Sequence, residues 1–361
     1  MPLVSHNALP TFERLRAEGQ MVLETGRAMH QHIRELHIGL LNMMPDAALE
    51  PTERQFFRLV GESNPIAQFY MHPFTLKEQP RGEPAATHIA KYYQSFEQIK
   101  QEGLDALIIT GATPTHPNLA DEPFWSPLRQ VVEWAEENVT STFCSCLATH
   151  AVLEMVLDQK RTPLGFKRWG VFPHRVVDPD HPLVNDVNTL FDVPHSRFND
   201  ISREQFAQAG LHILVESEEA GIHLAVSSDR IRWVYCQGHP EYDTVSLLKE
   251  YKREILQYSV GARADYPRFP DNFFSPLVKA ILGEYRLLLL NAIESGQEKP
   301  PFPDELIINL LNNTWHDTAE GILANWLGTV YQLTHEERTK PYMDGIDPRD
   351  PLGLGLVPQG V

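Results

Sequence analysis

Short apolar runs alternate with longer segments of helical spacing through the first two thirds of the chain. That alternation leaves few folds open, because it calls for strands covered on both faces and joined by crossover helices. LHIGLLNMM, in the 37–45 region and ending at Pro45, reads as a buried strand, and Thr52–Val60 as a capped helix. IAQFYM (66–71) reads as a second strand, His88–Gln101 as a helix, and DALIITG (105–111) as a third strand ending in glycine. Glu122–Asn138 is helical, VTSTFCSC (139–146) is a fourth strand, and LATHAVLEMVLDQ (147–159) again has helical spacing. Two further strand patterns, HILVES (212–217) and IHLAVSSD (222–229), precede RIRWVYCQG (230–238) and a helix from about Thr244 to Tyr258. Residues 273–296 and 304–333 are apolar at helical spacing around a Pro-rich break, KPPFPD. The pattern predicts a mostly parallel α/β sheet with helices on both faces and a C-terminal helical extension. It divides the chain into an N-terminal segment (1–36), an α/β domain (37–262), a helical region packing on it (263–340) and a tail (341–361).

Lys and Arg number 31 against 48 Asp and Glu, a net charge of −17. Such a surface repels phosphate backbones and anionic lipid, which argues against nucleic-acid and membrane partners. A polyanionic small molecule would need a local cationic site. The three cysteines, Cys144, Cys146 and Cys236, are too few for a disulfide framework and point to a reducing compartment. No apolar run approaches the roughly 18 residues of a membrane span. The N-terminus reaches acidic Glu13 without the apolar stretch of a signal peptide. The expected location is the cytoplasm.

Ligand sites in open α/β sheets lie beyond the carboxyl ends of the strands, and three features fall there. Cys146 closes the fourth strand and opens the next helix, where the helix dipole favours a thiolate and the Leu147 N–H can face an oxyanion. Composition alone leaves a buried, inert thiol equally open. Cys144 and Cys236 read as packing. His239 leaves its strand after Gly238, with Glu241 close enough to fix one tautomer, which supplies a base and its orienter. The spacing of these groups matches no common zinc pattern, so no metal is expected. The loop TGATPTH (Thr110–His116) has a glycine and small residues that would let backbone N–H groups approach a ligand, although plain turn chemistry also explains it.

Several segments together resemble the homoserine O-acyltransferases of the succinyltransferase type. They are LHIGLLNMMP, DALIITGA, PFWSPLRQVVEWAEENVTST, GVF (170–172), PHSR (194–197), GHPEYD (238–243) and NWL (325–327), in the family's order between about Ile33 and Pro348. The resemblance implies a flavodoxin-like fold of the class I glutamine amidotransferase type. It makes Cys146 the acyl-accepting nucleophile, His239 the base and Glu241 its orienter, and places Lys167, Ser196, Arg197, Glu250 and Arg253 at the substrate site. Spacing alone reads Glu250 and Arg253 as a solvated helix pair, and Ser196 and Arg197 as loop residues. With the resemblance, Glu250 and Arg253, at i and i+3, could grip the ammonium and carboxylate of one zwitterion.

The implied reaction moves an acyl group from acyl-CoA, a co-substrate with no bound cofactor, through Cys146 to the hydroxyl of L-homoserine. Leu147 N–H and the Gly111 loop would hold the oxyanion. The chain departs from the family in three places. Asp46 and Ala47 follow Pro45 where lysine is usual. Leu147 and His150 replace an aromatic residue and a glutamine. At the position tied to acyl choice, glycine with succinyl and glutamate with acetyl, stands Thr115, which is uncharged and shorter than glutamate and so favours succinyl-CoA. O-acetyl transfer and a serine acceptor are the alternatives within the family. Glutamine hydrolysis is disfavoured because Ala148 replaces the usual glycine after the nucleophile, and a non-catalytic binder has no need of the Cys-His-Glu set. The apolar C-terminal helices either complete the core or form a homodimer face.

Overall fold

Ala106 and Ile108 pack into one apolar core while Leu107 and Ile109, the residues between them, pack into another. This two-residue alternation, dry on both sides, is the mark of a central strand. The computed structural model describes residues 3–29, 33–64 and 66–355, so the ends of the expected N-terminal segment and tail lie outside the described residues. In chain order the strands are β1 (Leu3–Ser5), β2 (Val22–Glu24), β3 (Glu35–Leu41), β4 (Gln68–Phe74), β5 (Ala106–Ile109) and β6 (Ser141–Ser145). They continue with β7 (Thr162–Val176), β8 (Leu190–Asp200), β9 (His212–Ser217), β10 (Gly221–Val226) and β11 (Trp233–Cys236). All join one sheet in the order β2-β1-β4-β3-β5-β6-β11-β10-β9-β7-β8.

Pairing is parallel from β2 to β11 and antiparallel beyond. Counting β3, β4, β5, β6 and β11 as first to fifth gives the spatial order 2-1-3-4-5, the flavodoxin-like winding expected from the sequence. One face of the sheet is covered by helices Pro10–Ala17, Asp46–Glu62 and His316–Leu333, which contribute Phe12, Phe56 and Trp326 to the first core. The other face carries helices Trp125–Asn138 and Leu147–Leu157, with Leu128, Val131, Ala148 and Val152 in the second core. Helices Ser246–Ser259 and Pro276–Ser295 build a third core with Trp169 and Val171 of β7.

The structure differs from the sequence expectation in four places. The N-terminal segment carries β1 and β2, which extend the parallel sheet beyond β4. The single helix expected over 88–101 is two, Glu83–Tyr92 and Phe96–Glu102, because Ser95 and Gln98 form a capping box that starts the second. Of the C-terminal helices, His316–Leu333 completes the sheet's first core while Pro276–Ser295 builds the third. The long pair β7–β8 has no apolar alternation over Thr162–Arg168, where its register also shifts, so no strand pattern announced it. Ser196 and Arg197, read as loop residues from spacing, lie within β8.

Candidate active site

Cys146 stands between β6 and helix Leu147–Leu157 with φ 52° and ψ −111°, a conformation that strains any residue with a side chain. The surroundings hold it there. Its N–H donates to Cys236 O at 2.7 Å, and the buried Thr149 hydroxyl donates to Cys144 O at 2.8 Å while accepting from Cys236 N–H at 3.0 Å. The ends of β6 and β11 are thus tied through one side chain, a role the sequence did not reveal. Gly111 follows β5 at the same edge. A Cβ placed there would lie 3.6 Å from Cys146 Cβ and 3.8 Å from Leu147 N, so the glycine leaves open the space before that N–H.

His239 enters from β11. Its neighbour Gly238 is tightly enclosed, because a Cβ there would come within 2.5 Å of Val193 and 2.8 Å of His223. His239 Nδ1–H donates to Glu241 Oε1 at 2.9 Å, and its ring stacks on Tyr242 at 4.2 Å. Burial works to lower the imidazole's pKa, but the charges of Cys146 and Glu241 and hydrogen bonds to both prevail and hold it well above its ordinary value. The structure therefore brings Cys146, His239 and Glu241 together. Cys144 and Cys236 are buried, and burial pushes both thiols up.

Cys146 and Leu147 open on a cavity of about 360 Å³ that is also lined by Lys167, Ser196, Arg197 and Arg253. Its lining has five cations, Arg161, Lys167, Arg197, Arg253 and Arg263, against one carboxylate, Glu254. A chain of net charge −17 has here gathered a site for anions. Arg253 makes no ion pair among the described residues, whereas Arg197 is held by Asp200 at 3.0 Å, by Ala220 O at 2.6 Å and by His195.

Two expected residues are placed otherwise. Glu250 is not in the cavity lining. It accepts from Lys167 Nζ at 3.0 Å, Ser196 Oγ at 2.7 Å and Tyr242 OH at 2.6 Å. Burial raises its pKa, but the Lys167 charge and these hydrogen bonds outweigh it and hold the carboxyl below its usual range. An incoming ammonium meets Glu250 only by sharing it with Lys167. Thr115 also lies outside, because the Glu122 carboxylate accepts the N–H groups of Thr115 and His116, both at 2.5 Å, and turns them away. Ala112, Thr113 and Pro114 form the loop's wall of the cavity instead.

Behind His239 lie three buried histidines, with His174 Nε2 3.1 Å from His195 Nε2 and their rings near His223. Burial lowers all three, His174 to about 4, and it likewise lowers His150 and His181 to about 4. A histidine kept neutral in the fold binds its proton first in the unfolded chain. Stability is therefore complete above the ordinary value near 6.5 and is lost as pH falls from there through about 4. Each such histidine contributes a slope of up to about 1.4 kcal/mol per pH unit. Urea midpoints at pH 7 and pH 5 should show a large drop, and equal midpoints would mean that these side chains are solvated.

A strained cysteine at a strand-to-helix turn, with a buried His–Glu pair at its side and a 2-1-3-4-5 sheet beneath, defines a flavodoxin-like α/β protein with Cys146, His239 and Glu241 gathered at the carboxyl edge of its parallel strands. A profile described as homoserine O-succinyltransferase matches residues 2–336, and the chain belongs to that family. It is similar to the homoserine O-succinyltransferase of Allochromatium vinosum, 65% identical over 98% of this chain and 99% of the relative. Those of Nitrosococcus oceani and Methylococcus capsulatus are 63% and 62% identical, again over 98% of this chain, and are covered over 99% and 100% of their lengths. Among solved structures, a glutamine amidotransferase from Thermotoga maritima is 12% identical, with a TM-score of 0.41 over 82% of this chain and 98% of its own.

Proposed function

We propose that the chain transfers the succinyl group of succinyl-CoA to the hydroxyl of L-homoserine through an acyl-Cys146 intermediate. The product, O-succinyl-L-homoserine, is the activated entry to methionine synthesis. The observation that carries the reading is the buried His239–Glu241 pair, joined at 2.9 Å, set beside the strained Cys146 at the strand-to-helix turn. Cys146 attacks the thioester carbon, and the oxyanion forms against Leu147 N–H in the space that Gly111 leaves open. As the carbon–sulfur bond to CoA breaks, His239 gives its proton to the departing thiolate.

Having given up its proton, His239 is neutral and can act as a base. It takes the homoserine hydroxyl proton while the oxygen attacks the acyl carbon, and collapse expels the Cys146 thiolate beside a protonated His239. The resting pair is restored. Mass spectrometry of the enzyme mixed with succinyl-CoA alone tests the reading: an added succinyl on Cys146, removed by homoserine, is expected, and an unmodified enzyme refutes it.

A second hollow of about 450 Å³ along helix Ser246–Ser259 shares Arg253 with the first. Its lining holds Lys249, Lys252, Arg253 and Lys299 without a carboxylate, over a floor that includes Leu289 and Phe302. These charges and the apolar floor support it as the seat of the nucleotide end of acyl-CoA. The acceptor's carboxylate is assigned to Arg253. Homoserine is then preferred to serine, whose hydroxyl falls about one bond length short, and a misplacement of about 1 Å can cost on the order of a hundredfold in rate. Arg253→Lys keeps the charge but not the two-pronged geometry. Rapid-mixing kinetics should show acylation intact and deacylation by homoserine reduced on the order of a hundredfold. Failure to acylate, or normal turnover, would remove this assignment.

Three unpaired cysteines support a cytoplasmic location. Among the described residues no helix is long and apolar enough to cross a membrane. Leu277, Leu287 and Leu288, 57%, 69% and 58% exposed on helix Pro276–Ser295, support a homodimer through that face.

A further inference from the structure

Arg161 lies between helix Leu147–Leu157 and β7 and lines the cavity beside Cys146 and Leu147. Its Nε is buried and has no hydrogen-bond partner. The only polar contacts of its guanidinium among the described residues are the carbonyls of His116 and Pro117, at 3.5 and 3.3 Å. The other cations of the cavity are occupied or already assigned. Lys167 is bound by Glu250 and Glu254, Arg263 by Glu254 and Arg197 by Asp200, and Arg253 is assigned to the acceptor. The carboxylates whose charges reach Arg161 are also engaged: Glu122 takes two backbone N–H groups, and Glu154 lies 3.9 Å from Lys160. A half-buried guanidinium N–H left without a partner costs free energy until an acceptor meets it; Arg197 Nε in the same cavity is also unpartnered, but its guanidinium already holds Asp200.

We infer that Arg161 binds the distal carboxylate of the acyl donor and thereby selects a dicarboxylic acyl group. The inference rests on the acyl-Cys146 reading. On that intermediate the far end of the acyl chain must lie in the same cavity, and Arg161 is the cation there that lacks an anionic partner and an assigned ligand. The two loop carbonyls that it touches aim the guanidinium without neutralising it. A neutral acyl group of equal length would leave the same N–H groups unpaired. Discrimination of that kind is strong, because the site rejects what lacks the group it was built to bind. Thr115, set aside by Glu122, has no part in it.

The test compares acylation by succinyl-CoA and butyryl-CoA, which carries a methyl group where succinyl has its carboxylate, by following CoA release without acceptor. Wild type should favour succinyl-CoA. Arg161→Gln should lower kcat/KM for succinyl-CoA about a hundredfold while butyryl-CoA stays within about threefold, and Arg161→Lys should recover part of the preference. Equal losses with both donors would make Arg161 a structural residue, and no loss with either would remove its role; both overturn the inference and leave the acyl-enzyme reading standing. A wild-type enzyme that acylates no faster with succinyl-CoA than with butyryl-CoA overturns the succinyl donor and the inference together.

Discussion

Cys146→Ala is expected to lower succinyl transfer by about 10⁴-fold or more, because no other thiol can carry the acyl group. Cys144 and Cys236 are 0% and 1% exposed, face the sheet's cores, and are held in the thiol form by burial. Their alanine variants should keep most of the activity and lose only modest stability. Initial rates for the three variants decide the matter. An active Cys146→Ala enzyme would transfer the nucleophile's role elsewhere, and inactive Cys144 or Cys236 variants with native unfolding midpoints would show that a second thiol takes part.

The second large effect is expected for Glu241→Gln. The carboxylate receives Nδ1–H of His239, which leaves Nε2 to exchange protons with the thiol side of the pair. An amide nitrogen turned toward Nδ1 would donate instead, fix the opposite tautomer and disable the base. A loss of about 10³ to 10⁴-fold follows from that reversal. Stability should fall as well, by a few kcal/mol, because removing one member of a buried ion pair leaves the other unsupported. Urea unfolding alongside turnover separates the two: a variant that is still fully folded under assay conditions yet nearly inactive is expected. A folded variant that keeps most of its turnover would make Glu241 a structural residue.

The five central parallel strands, β3 to β6 and β11, were legible because they are largely dry on both faces and read as apolar runs, whereas the three-residue β1 and β2 were too short to leave such a run. The position of Cys146 was legible for the same reason, since it falls where such a run gives way to helical spacing. Partnerships across long separations were not. Glu250 is bound by Lys167 and Ser196, 83 and 54 residues away, and no local pattern records that its carboxylate is occupied. Arg161 and Thr149 left no trace, because a single arginine before a strand and a threonine in a helix have many ordinary uses. The β7–β8 pair was hidden by its polar side chains: Lys167, Ser196 and Arg197 line the cavity beside Cys146 instead of facing a core.

Helix His316–Leu333 also bears on how the protein is made. Trp326 is fully buried against the sheet, where its indole N–H meets Ser141 Oγ at 2.7 Å, at the start of the strand that ends beside Cys146. A ribosome that has released only the first 300 residues has therefore synthesised every group of the candidate site, yet the apolar face around Phe143 still lacks its cover. The sheet becomes sealed only once residues 316–333 have been made. A nascent chain would have to be shielded from aggregation until then, and a stop shortly before that helix would yield a protein that is cleared by proteases with every side chain of the candidate site present.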